Sequence, residues 1–335
     1  MKDSAIVPLI VAVTIGGYAI LQAVASYFLP AWTRPDVYFA VTVLPGFRDS
    51  LEGKIILRRY RIELTALSAL TLAAALAGIR LFAAAFVPAG CVTIMSGSFA
   101  AFYRARRRVR WHAVAPTTIR EVDLYRGARG VPGGWVPALG PFLLVGTCAA
   151  FLWIQGREVR AGFYFLSMAG ILAAFSLIRY GISHWARSVH SREPEIAREL
   201  QFRWAVSVMA LVLEWVIAIQ ASWATLMPHR RAIVVLPVVL LLTVAVVLVL
   251  ARFGQGGSRL TARRASNSVP VGDRTEDRYW KLGILYFNLE DAAVIVEKRF
   301  GSGYTFNFAR LTTWIIMLFL VLSPLIGILG PRLHR

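Results

Sequence analysis

Runs of about twenty apolar residues, the length that carries a helix across the hydrocarbon of a bilayer, recur along the chain with polar, arginine-rich stretches between them. On that criterion the pattern predicts spans over 5–29, 62–78, 81–103, 135–154, 161–177, 204–227, 232–251 and 311–329. The expected fold is therefore an all-α polytopic membrane protein of about eight transmembrane helices, with a short turn around Gly78 and Arg80 separating the second and third. Between the first two spans, Val37-Tyr38-Phe39-Ala40-Val41-Thr42-Val43-Leu44 is a β-branched and aromatic run closed by Pro45-Gly46. It predicts a short strand or an interfacial segment, followed by a basic helix over 49–61. Glu193 to Leu200, with proline near its start and mixed charges, predicts a short exposed helix.

The stretch before the last span has a different pattern. Residues 252–278 are rich in Gly, Ser and Arg and read as a flexible linker after a helical region of seven spans over 1–251. Two strand-like runs follow, 279–288 and 292–300, with a turn composition at Asn288 to Asp291. They predict a small cytoplasmic β-hairpin, 279–310, between the last two spans, which occupy the region up to 251 and 311–335. A lone hairpin is marginally stable, so this one is expected to dock on other loops or on the membrane face.

Composition agrees with the spans: 57% of residues are hydrophobic and 16% charged, too apolar for a water-soluble core. The formal charge of +19 would suit a nucleic-acid binder, but its placement argues for a membrane. Taken in chain order, the segments outside the spans hold 1, 6, 1, 8, 2, 5, 2, 10 and 2 lysines and arginines, so alternate segments hold 29 against 8. The richer set is expected on the inner face of a bacterial cytoplasmic membrane, which puts both termini outside. Residues 1–26 also resemble a signal peptide, with Ala23-Val24-Ala25 at the cleavage position, but cleavage would leave an Arg-rich loop outside, so a retained span is expected. Arg104, Arg106, Arg107, Arg108 and Arg110, directly after the third span, are candidates for contact with anionic lipid headgroups. Membrane lipids and a membrane or cytoplasmic protein are the expected partners, without nucleic acid.

Near the C-terminal end, Trp280, Tyr286, Asn288, Asp291, Lys298, Arg299, Phe300, Gly301, Gly303, Thr305 and Asn307 form a spaced aromatic, Asn and Gly motif just before the final span. This run resembles the bacterial family of unknown function DUF5808. The resemblance implies an association with helices of the DUF1648 type, a grouping that also occurs in SdpI-like immunity and signalling membrane proteins. Residues 39–61, ending in Arg58-Arg59-Tyr60-Arg61, resemble a loop of the same relatives.

Enzymatic signatures are sparse. The chain has no Walker A loop, HExxH, GxSxG or paired CxxC, and Cys91 and Cys148 lie apart in apolar stretches. His184 and His190, six apart, are poorly spaced for one helical face, so no metal and no cofactor are expected. Glu214 is the exception: a carboxylate in the middle of the sixth span must be protonated, paired or hydrated. It predicts either a polar fastening between helices or a proton- or cation-coupled site, with Pro237 and Pro324 as candidate kinks. The expected function is a non-enzymatic sensor, immunity or regulatory protein. The alternatives are a small-solute or ion carrier using Glu214 and an intramembrane lipid-modifying enzyme.

Overall fold

Long helices dominate the protein, whose structure is a computed structural model describing residues 3–82, 86–116, 122–123, 134–184, 187–188, 193–227, 238, 241–249, 252, 275–301 and 303–333. The helices are α1 (Asp3–Trp32), α2 (Leu51–Phe82), α3 (Phe86–Val109), α4 (Leu139–Ile154), α5 (Glu158–His184), α6 (Glu193–Leu226) and α7 (Leu311–Leu333). Residues 241–249 are helical as well. Most of the expected linker and the first part of the expected seventh span lie outside the described residues.

Among the described residues, four helices are long and apolar enough to cross a membrane: Val136–Ile154, Glu158–His184, Glu199–Leu226 and Leu311–Gly330. Only 22–33% of each apolar stretch is buried within the protein, so most of its surface is offered outward, where hydrocarbon suits it and water does not. The turn expected at Gly78 and Arg80 is not there: α2 runs through both positions to Phe82. One glycine costs a helix about 1 kcal/mol and removes no amide donor, which a helix of 32 residues absorbs.

The chain divides into two compact units. The first comprises Met1–Arg120, Ala232–Leu285 and Glu297–Gly303; the second comprises Glu121–Arg231, Tyr286–Val296 and Tyr304–Arg335. In the first, α1, α2 and α3 pack on one another around an aromatic core of Tyr38, Phe39, Tyr60 and Phe102, against which Phe300 also packs. In the second, α5 is the hub, contacting α4, α6 and α7. Small residues allow that approach: a Cβ added at Gly327 would lie 2.6 Å from the Ser167 hydroxyl, and one at Gly140 would lie 2.2 Å from the Trp215 ring. Close backbone approach at Gly and Ser is how helices gain packing where lipid removes the hydrophobic drive between them.

The strands are short and pair two by two: β1 (Val37–Tyr38) with β2 (Val41–Thr42), β3 (Val122–Asp123) with β4 (Arg187–Ser188), β5 (Trp280–Lys281) with β6 (Leu285–Tyr286), and β7 (Ile295–Glu297) with β8 (Tyr304–Phe306). Near the C-terminal end there are thus two small hairpins where the sequence predicted one. The first turns at Leu282 and Gly283, both with positive φ (54° and 83°), and the second near Gly301 and Gly303 (88° and 104°). Asn288 and Asp291, expected as the hairpin turn, instead bend the backbone locally: their side-chain oxygens accept from the amides of Glu290 and Ala293, each at 2.9 Å.

Candidate functional site

In the first unit, β1 and β2 form a two-residue hairpin with register Val37↔Thr42 and Tyr38↔Val41. Its turn is Phe39-Ala40, with φ of 45° and 60°. Positive φ at both central residues is the type I′ geometry that Asn-Gly normally supplies. Here it carries two residues with a Cβ, at a cost of roughly 1–2 kcal/mol each. Residues 36–43 are all buried, so the carbonyls that so short a ladder leaves unpaired need partners inside the protein.

Two guanidinium groups supply them, and a third holds the Thr42 side chain. Arg48 donates to the backbone oxygens of Thr33 (3.1 Å), Arg34 and Val37 and to the Thr33 hydroxyl, and lies over the Tyr38 ring. Arg106, 6% exposed, donates to the carbonyls of Phe39 and Ala40 at the tip. Arg299, fully buried, donates to the Thr42 hydroxyl and to Thr275 O (3.3 Å), and its Nη1 lies 2.7 Å from Asp277 Oδ1. The Thr42 hydroxyl donates in turn to Asp277 at 2.9 Å, and Trp280 lies beneath the Arg299 guanidinium while its indole N–H donates to Thr275 Oγ1 at 3.0 Å. A guanidinium offers five donors in a planar fork, which is why arginine can cap several carbonyls at once. Burial draws Arg106 and Arg48 each down to about 10, with Asp277 pulling Arg106 the other way and Tyr38 and Asp36 opposing the shift at Arg48. Both remain cationic at neutral pH. Burial also pushes Tyr38 up to about 12, and its hydroxyl donates to Gly53 O at 3.0 Å. Phe39 then seats on Tyr60 (5.0 Å between centroids), Phe300 (5.9 Å) and Phe102 (6.3 Å).

The second unit buries its charge between helices. Glu214 on α6 and Arg179 on α5 are both fully buried, with Arg179 Nε 3.2 Å from Glu214 Oε1. Ser176 donates to the same oxygen at 3.4 Å, and Arg179 Nη1 donates to Gly134 O at 2.7 Å. Nearby polar groups fasten the same helices: Arg203 donates to Ile182 O at 2.6 Å, and the hydroxyls of Tyr164 and Ser222 lie 2.7 Å apart. Glu214 Oε2 and both polar atoms of the Gln220 side chain are buried without a hydrogen-bond partner among the described residues.

A third polar centre, also in the second unit, is organised by Asn307. Its Nδ2 donates to the carbonyls of Asn288 (2.8 Å), Asp291 (3.1 Å) and Ala293 (3.1 Å), while its Oδ1 accepts from the amides of Asn288 (3.1 Å) and Ala309 (3.2 Å). Tyr286 donates to Asp291 Oδ2 at 2.9 Å, Asn288 Nδ2 donates to the Tyr286 hydroxyl at 3.1 Å, and Arg310 donates to Asp291 O at 2.9 Å. One buried amide thus ties a loop to the segment that leads into α7, whose Thr313 hydroxyl donates to Asn307 O at 2.8 Å.

The five arginines expected at lipid headgroups therefore separate. Arg106 turns inward and cannot meet lipid; Arg104 and Arg108 lie 2.9 and 3.7 Å from Glu63; Arg107 and Arg110 are exposed. Of the motif residues, Trp280, Arg299, Phe300 and Gly301 serve the first unit's hairpin, with Gly301 at 3.1 Å from Leu29 for an added Cβ, while Tyr286, Asn288, Asp291 and Asn307 form the second unit's polar centre. Lys298 places its amide on Gly303 O at 3.0 Å, and Thr305 lies in β8. Sequence reasoning missed Arg48, Thr42, Thr275, Asp277 and Arg179. Arg179 had a signal, since a carboxylate in an apolar run demands a cation and α5 continues past the expected span end to His184.

Compared with known proteins, residues 290–314 match the model of a family of unknown function, DUF5808. No curated protein and no solved structure matches the chain.

Proposed function

We propose that the chain is an eight-span protein of the bacterial cytoplasmic membrane, its arginine-rich loops on the cytoplasmic side, that acts as a sensing, immunity or regulatory device without enzymatic activity of its own. The observation that carries this reading is the clamp on the first loop. Arg48, Arg106, Arg299 and Asp277 are spent on backbone carbonyls, a threonine hydroxyl and one another. Such an arrangement holds a conformation. Because a few polar bonds between distant chain segments close it, a competing anion or a partner segment has a defined contact to displace, which is what a two-state regulatory element requires.

A proton-coupled carrier is the second reading, favoured by the orphaned Glu214 Oε2 and Gln220 side chain inside apolar helices. Full-length protein reconstituted into vesicles holding a pH-sensitive dye separates the two. Under the regulatory reading, proton flux equals that of protein-free vesicles, and purification from native membranes recovers a partner that Arg299→Gln loses. Flux that Glu214→Gln abolishes replaces this reading with the carrier.

A further inference from the structure

The face of α2 beyond the clamp has a use of its own. Lys54, Arg58 and Arg61 fall at intervals of four and three residues, so they stand in one stripe, which continues into Ile62, Thr65 and Ala66. With Tyr27 of α1 they line an open groove of about 640 Å³. The groove is cationic at one end and apolar at the other. From Lys54 to Ala66 it extends roughly 18 Å along the helix axis at 1.5 Å per residue.

Its charge is uncompensated. The two carboxylates of α2 are engaged elsewhere, Glu52 with His112 at 3.0 Å and Glu63 with Arg104 at 2.9 Å. Among the described residues, the side chains of Lys54, Arg58 and Arg61 have no ion pair and no hydrogen bond. Arg61 lies over the Tyr27 ring at 4.5 Å, and its Nε is buried without an acceptor. A buried guanidinium nitrogen with no acceptor is a donor waiting for one.

We infer that this groove binds one anionic phospholipid, its phosphate against Lys54, Arg58 and Arg61 and the start of an acyl chain along Ile62 and Ala66. Charge complementarity selects the headgroup, and the apolar half of the same stripe selects a lipid over a free anion. The inference rests on the membrane reading above and adds a specific site to it.

Native mass spectrometry of the full-length protein in detergent, titrated with short-chain phosphatidylglycerol, phosphatidylcholine or inorganic phosphate, tests it. Phosphatidylglycerol is expected to bind as a single tight adduct, phosphatidylcholine far more weakly, and millimolar phosphate is expected not to displace the lipid. Each cation contributes roughly fivefold, so Lys54→Gln/Arg58→Gln/Arg61→Gln weakens phosphatidylglycerol on the order of 100-fold. Arg58→Gln alone, at an exposed position that leaves the fold intact, weakens it roughly fivefold. Arg107→Gln/Arg110→Gln, which removes exposed charge elsewhere, leaves it unchanged. Equal loss in that control, equal binding of the two lipids, or displacement by phosphate overturns the site. Wild-type protein that fails to float with vesicles of either lipid overturns the membrane reading itself, whereas protein that floats without preference overturns the site alone.

Discussion

The two units bury arginine in opposite ways. In the first, Arg106 and Arg299 face carbonyls, a threonine hydroxyl and one half-buried carboxylate, and they hold an irregular loop. In the second, Arg179 faces a fully buried carboxylate on the neighbouring helix as well as Gly134 O, and it fastens two regular elements within their length. A loop inside a protein presents unsatisfied carbonyls and therefore recruits donors. The interior of a helix presents none, so a charge buried there needs its own counterion.

Substitutions sharpen the contrast. Arg179→Met leaves Glu214 buried without a cation and is expected to cost about 4 kcal/mol, while Arg179→Met/Glu214→Met restores most of that loss. Thermal unfolding of the four members of this cycle in detergent measures it, and a double variant as unstable as the single one would show that the pair is not an independent fastening. In the first unit, Arg299→Met is expected to cost less, about 2–3 kcal/mol, because the Asp277 side chain keeps 30% exposure and can hydrate. Its added signature is protease sensitivity within 33–50, which Arg179→Met should not produce. Packing tests the same divide: Gly140→Ala sets a methyl against the Trp215 ring and should cost about 2 kcal/mol, read as a lower melting temperature. The smallest effect has the opposite sign. Ala40→Gly relieves the positive φ but loses a buried methyl, for a net gain of about 0.5 kcal/mol.

What could be read from the residues follows the same division. α4 to α7 announce themselves because twenty apolar residues in a row have few other fates, and α2 was misjudged only where Gly78 suggested a break that helical hydrogen bonding tolerates. The β1–β2 hairpin was not legible as one. Phe39-Ala40 lacks the Asn-Gly signal, and what holds the turn is donated by Arg106, 66 residues away, and by aromatic rings from other elements. The C-terminal motif is legible as a motif, and its residues from Asp291 to Asn307 fall in the stretch 290–314 that matches DUF5808, with Trp280, Tyr286 and Asn288 ahead of it. The job of Asn307 is not legible, since an asparagine in a sequence gives no hint that five backbone groups converge on it. Arg179 lies two residues beyond the expected span 161–177, in the part of α5 that continues to His184.

The bond from Arg299 to Thr42 spans 257 residues, and that separation sets a clock on biosynthesis. At 5–20 residues per second the ribosome delivers Arg299 roughly 13–50 s after Thr42, so the early hairpin waits that long for its last guanidinium. During the interval the Thr42 hydroxyl has only water or a chaperone to turn to, while the carbonyls of Val37, Phe39 and Ala40 already have Arg48 and Arg106. A nascent chain arrested before Arg299 should therefore carry a first loop held by Arg48 and Arg106 but loose at Thr42.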